Sequence, residues 1–127
     1  MPLLNEVQLR TLTSAIDRMV PADEFPSASQ AGCVDFLLRL IQLEHLEQTY
    51  RAGLDSVEAR ALKLGKSFAD LTPDQQDAQL QGRQPKEQRR FIELLARQTI
   101  EGYYADPGNG GNRDCVSWKM VGFEVRN

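Results

Sequence analysis

The sequence lacks any run approaching the roughly 18 consecutive apolar residues that cross a bilayer, so no direct membrane insertion is expected. Histidine occurs once and cysteine twice, at Cys33 and Cys115, far apart in different segments and outside any redox or metal spacing. An iron–sulfur cluster usually takes four thiolates, more than this chain owns. Basic charge is not in excess: 15 Lys and Arg against 18 Asp and Glu leave a net charge of -3, which argues against a protein built to grip nucleic-acid phosphates. No alternating strand pattern of useful length appears. The opening MPLLNEVQLR has no basic start, continuous apolar core or small-residue cleavage site, so as written the chain reads as cytoplasmic.

What is present is an ordinary globular composition, 41% hydrophobic and 26% charged over 127 residues, the size of one domain spanning 1–127. Its periodicity is helical. Asn5 is placed to cap a helix carrying Leu9, Leu12, Ile16 and Met19, which breaks before Pro21. After a proline- and serine-containing connection, VDFLLRLIQL from Val34 to Leu43 is apolar on nearly every side and predicts a buried helix at the centre of the fold. Leu46, Tyr50, Leu54, Val57, Ala61 and Leu64 continue in steps of three and four to Gly65, a C-terminal cap. Gly53 interrupts this helix at a cost of about 1 kcal/mol relative to alanine, which points to close approach by another element or to a bend.

Phe68 and Leu71 are expected to anchor the next connection in the core. Thr72, Pro73 and Gln75 spell a capping box that opens a short helix, and Gln79 to Pro85 reads as a surface loop. Phe91, Leu94 and Leu95 begin the last helix. The expectation is an all-α bundle of about five helices with an irregular C-terminal tail.

The most distinctive stretch is TIEGYYADPGNGGNRDCVSWKMVGF, from Thr99 to Phe123. Ile100, Tyr103 and Tyr104 stand at helical spacing, Pro107 cannot continue the helix, and Asn109 and Asn112 can order the glycine loop through backbone hydrogen bonds. Trp118, Val121 and Phe123 are anchors for docking the tail on this chain or on another. The loop is therefore either a surface shaped for another macromolecule, with Tyr103, Tyr104 and Trp118 as hot-spot side chains, or a tail that packs back on its own domain. Cys115 is a free thiol in a reducing compartment or a bond to another chain.

The catalytic inventory is thin. His45 lies between Glu44 and Leu46 with no cysteine or serine motif around it and suits a capping or exposed role. GNGGN fails both phosphate-loop patterns, since no Lys-Ser or Lys-Thr pair follows it and no strand precedes it. Arg83, Lys86, Arg89, Arg90 and Arg97 form a run typical of a solvated helix face.

Three segments, LRTLTSAIDRMVPAD, YRAGLDSVEARALKLGKSFADLTPDQQDAQL and the ending from Thr99, occur together and in order. In these the chain resembles the gluconate 2-dehydrogenase subunit 3 family, with GYYADP, GGN, W and GF as the most specific marks. The resemblance implies a non-catalytic small subunit without a cofactor of its own, paired with a large subunit of the glucose-methanol-choline type. That partner would carry FAD, oxidise a sugar or glycoside hydroxyl and pass electrons to a cytochrome or other acceptor, while the small subunit supports its folding and stability. Many relatives begin with a twin-arginine leader. The chain would be periplasmic if such a leader had been removed or if the partner carried the export signal.

The expected partner interface comprises Tyr103, Tyr104, Asp106, Asn109, Gly110, Gly111, Asn112 and Trp118, with Cys115 as an intersubunit thiol. Two rivals predict different behaviour: an independent helical module that binds a ligand or peptide, and a small enzyme using His45.

Overall fold

The computed structural model describes residues 2–105. Five α-helices build them: α1 (Glu6–Met19), α2 (Cys33–Leu43), α3 (Glu47–Leu62), α4 (Pro73–Gln81) and α5 (Lys86–Ala105), with a 3-10 turn at Phe68–Asp70. No strand occurs among the described residues. The all-α expectation holds.

Local chemistry fixes the helix starts. At α1 the Asn5 side chain accepts from the Gln8 amide at 2.7 Å, while Gln8 Oε1 accepts from the Asn5 amide at 3.0 Å. At α4 Thr72 and Gln75 make the same reciprocal pair, with Pro73 in the first turn. Each box satisfies amides that a helix start leaves without intrahelical partners. Beyond α3 the chain reverses through Gly65, whose φ of 98° is in the left-handed region.

α3 and α5 run antiparallel. Moving down α3 from Ser56 through Gly53 to Tyr50 meets Gln88, Phe91 and Gln98 in ascending order on α5. Gly53 has a steric reason: a Cβ there would sit 2.3 Å from Phe91 Cγ, so the glycine admits the ring between the helices. The Phe91 ring in turn meets Tyr50 edge-on, with centroids 5.3 Å apart, an arrangement that suits the aromatic quadrupoles. Tyr50 donates its buried hydroxyl to Gln98 Oε1. Burial pushes the Tyr50 pKa upward, and the nearby Glu101 charge adds to the shift. α1 packs against both helices, contributing Leu12, Ala15, Ile16 and Met19 to the core.

Phe68 is fully buried, as expected, and polar side chains hold its backbone at both ends. Its amide donates to Glu58 Oε1 at 2.8 Å, and its carbonyl accepts from Gln76 Nε2 at 2.9 Å. The 3-10 turn therefore leaves neither group without a partner.

Two expectations need correction. α2 is not at the centre: of its eleven residues only Cys33, Leu37 and Ile41 are buried, and Leu43 is 78% exposed. Asp35, Arg39 and Gln42 recur at i, i+4 and i+7 and are exposed, so the helix has a solvent line that a dense leucine count conceals. Second, the supposed surface loop from Gln79 begins later. α4 continues through Gln81 with Leu80 wholly buried, because Leu80 shares the inner face with buried Gln76 four residues before it.

Candidate functional site

The C-terminal end of α5 is set between two elements. One is the connection from Val20 to Gly32, tied to α1 where the Ser29 amide and hydroxyl donate to the two Asp17 carboxylate oxygens at 2.7 and 2.6 Å. The other is the first half of α2, which starts after Gly32 at a φ of 86°. Against these, α5 presents a small residue and then a large one. A Cβ on Gly102 would stand 2.5 Å from Phe36 Cδ2, so the Phe36 ring can cross the α5 backbone closely only over glycine.

Tyr103 is 1% exposed and donates its hydroxyl to the Pro26 carbonyl at 2.8 Å. Its pKa is raised, chiefly by burial and further by Asp23 and Cys33. Among the described residues this ring belongs to the core of its own chain and fastens the Val20–Gly32 connection to α5. Helical spacing groups Ile100, Tyr103 and Tyr104, but the direction of each depends on which neighbour α5 meets there. Tyr104 is half-buried and stands edge-on to Tyr103 at 5.8 Å, at the margin between core and surface. Asp106, Asn109, Gly110, Gly111, Asn112, Cys115 and Trp118 lie outside the described residues.

Cys33 is fully buried and points its Sγ toward the Thr99 carbonyl at 3.8 Å. Burial pushes the thiol up to about 11, with Asp17 adding to the shift. A thiol held neutral in this way is a poor nucleophile at neutral pH, and Cys33 acts as a small packing residue.

His45 is exposed in the turn between α2 and α3 and takes a left-handed φ of 57°. Among the described residues no group of three or more His, Cys, Asp or Glu side chains is placed to hold a metal ion. Arg83, Lys86, Arg90 and Arg97 are exposed, in keeping with a solvated face. Arg89 departs from the run: it donates to the Gln81 and Gly82 carbonyls at 3.0 and 2.9 Å and so closes the C-terminus of α4. No helix among the described residues is long and apolar enough to cross a membrane.

A groove of about 360 Å³ also runs between α3 and α5 over the Phe91 ring, bordered by Thr49, Ala52, Ser56, Arg90 and Leu94. Sequence reading did not find it. Gly53 was its one available signal, because a glycine that admits a ring also lowers the wall beside it.

These features define a helical domain whose aromatic C-terminal end is braced by its own connection and whose second helix carries apolar surface beyond its buried edge. The chain belongs to the gluconate 2-dehydrogenase subunit 3 family, which matches it over residues 6–124. It is thus a member of a family of dehydrogenase subunits. No curated protein and no solved structure matches it.

Proposed function

We propose that this chain is the non-catalytic small subunit of a heteromeric FAD-dependent dehydrogenase acting on a sugar or glycoside, and that it stabilises the flavin-bearing large subunit and assists its folding. The observation that carries this reading is the family match, which continues through residue 124 and so includes the glycine-asparagine loop and Trp118. The large subunit, of the glucose-methanol-choline type, binds FAD and passes electrons to a cytochrome or another acceptor. In this reading no cofactor resides in the small subunit.

The contact region consists of Tyr104, Asp106, Asn109, Gly110, Gly111, Asn112 and Trp118, with Tyr103 holding the end of α5 to the Pro26 carbonyl and Cys115 available for an intersubunit bond. Glycines let the partner backbone approach, and the aromatic side chains supply buried area.

The test is production of the large subunit with and without this chain. The proposal expects a soluble, flavin-loaded large subunit only, or far more abundantly, when both are made together. It also expects sugar-dependent dye reduction to require the large chain. Reduction by the purified small chain alone, abolished by His45→Ala, would overturn the non-catalytic assignment. Equal yield and flavin content of the large subunit in both preparations would remove the folding role.

A further inference from the structure

The corner where α3 ends carries surface that the bundle does not use. Leu62 and Leu64 are 55% and 57% exposed, one on either side of exposed Lys63. Leu62 is the last residue of α3, and the chain then turns back on itself. The Leu64 amide donates to the Ala61 carbonyl at 2.8 Å, the Gly65 amide donates to the Leu62 carbonyl at 2.9 Å, and Gly65 supplies the left-handed φ. Every residue from Leu62 to Lys66 is exposed. The two leucines therefore stand on an outer turn and line no cleft.

The fold brings a second segment to this turn. Arg60 donates Nη2 to the Arg83 carbonyl at 2.9 Å, which ties the end of α3 to the connection between α4 and α5. Residues 59–68 and 82–86 together hold Arg60, Lys63, Lys66, Arg83 and Lys86 and no Asp or Glu. All of these cations except half-buried Arg60 are exposed. Of the bordering acids, Glu58 accepts from the Ser67 hydroxyl and the Phe68 amide at 2.6 and 2.8 Å, and Glu87 lies about 100° round the helix from Lys86. The remaining ten of the 15 Lys and Arg are outnumbered by 18 Asp and Glu. A solvated helix face accounts for Arg83 and Lys86 alone, but for neither exposed leucine.

We propose that this corner is a peripheral docking point for an anionic lipid bilayer, which the chain touches without crossing. The leucine side chains enter the boundary between headgroups and acyl chains, while the long lysine stems keep their ammonium groups at the level of the phosphates. Each lysine near an anionic leaflet contributes about fivefold to partition. A nucleic acid would leave the leucines without a role and would find no exposed aromatic in either segment on which to stack a base, since Phe68 is buried. An acidic protein segment could use the cations, but an outer turn offers it no cleft in which to bury apolar area. The inference is independent of the subunit reading, because the surface belongs to the chain by itself.

The experiment is flotation of the full chain with vesicles of phosphatidylcholine alone, or of phosphatidylcholine with about one-third phosphatidylserine, at about 0.1 M salt. An anionic surface repels a chain of net charge -3 unless its cations are gathered in one place, so the two compositions separate the local patch from the overall charge. The expected result is flotation with the anionic vesicles and little with the neutral ones. Lys63→Gln combined with Lys66→Gln should lower the partition about 25-fold. Leu62→Ser combined with Leu64→Ser should lower it about tenfold, with an unchanged far-ultraviolet circular dichroism spectrum. If that pair lost helicity, Leu64→Ser alone, beyond the end of α3, would make the same comparison with a loss of about threefold. Leu43→Ser, at an exposed leucine near the other end of α3, should leave flotation as it was.

Equal flotation with both kinds of vesicle, or none with either, would overturn the proposal. So would anionic binding that survives either paired substitution. Binding to polyglutamate without binding to the anionic vesicles would also overturn it and give the corner to an acidic protein.

Discussion

The contact between α3 and α5 and the seat of α2 use apolar residues in opposite ways. α3 and α5 carry many polar residues, yet they meet through a buried ring set over a glycine and a buried Tyr50–Gln98 hydrogen bond. α2 is denser in leucine and still leaves one apolar flank open. Burial here follows where the topology sends a helix more than how apolar it is. A helix whose apolar arc is wider than its neighbours can cover retains surface for something else to bind.

Four changes test that contrast, beginning with the largest. Phe91→Ala empties the space beneath Gly53 and removes the edge contact to Tyr50, and should destabilise the fold by about 3–5 kcal/mol in denaturant unfolding. A loss below about 1 kcal/mol would mean that α3 and α5 do not depend on this ring. Gly53→Ala gains helix preference but drives a methyl into Phe91, for a net loss of about 1–2 kcal/mol. Combining it with Phe91→Leu should recover part of that loss, because the two residues share one space. Additive losses would place the strain elsewhere.

The inner edge of α2 gives a pH signature. Below pH 9 the Cys33 thiol is neutral in both states. Between 9 and about 11 the unfolded chain ionises while the folded chain keeps its proton. Stability should therefore fall with rising pH by on the order of 1 kcal/mol per pH unit. Tyr50, also raised by burial, pushes in the same direction from pH 10 upward. Cys33→Ala should flatten the portion between pH 9 and 10, measured as unfolding free energy against pH, and an unchanged slope would contradict a buried thiol there. The smallest effect is expected on the outer line of α2. Arg39→Gln should change stability by less than about 0.5 kcal/mol, and a loss above 2 kcal/mol would restore α2 to the interior.

Much of the fold was legible because it rests on local chemistry. The Thr72–Gln75 capping box and the Asn5 cap follow from neighbouring residues, Gly53 announced either a close approach or a bend, and Phe68 was recognisable as an apolar residue stranded in a polar connection. The rest depended on distant partners. The periodicity of α2 could not show that α5 and α3 would cover only its Cys33–Leu37–Ile41 edge. Nor could it show that Leu80 would be drawn inward or that Tyr103 would turn toward Pro26. Of the candidate site, Tyr103 and Tyr104 are the two members among the described residues, and they divide between core and margin. Their sequence separation of one residue places them on different sides of the same helix, a distinction that counting aromatics misses.

The measurement that bears most directly on the account is purification of the tagged full chain from its source cells, with the absorption spectrum and subunit masses of the product. The account predicts a yellow complex holding a large flavoprotein in fixed ratio to this chain, with dye reduction in the presence of a sugar or glycoside. A colourless chain recovered alone, monomeric and in good yield, would contradict it.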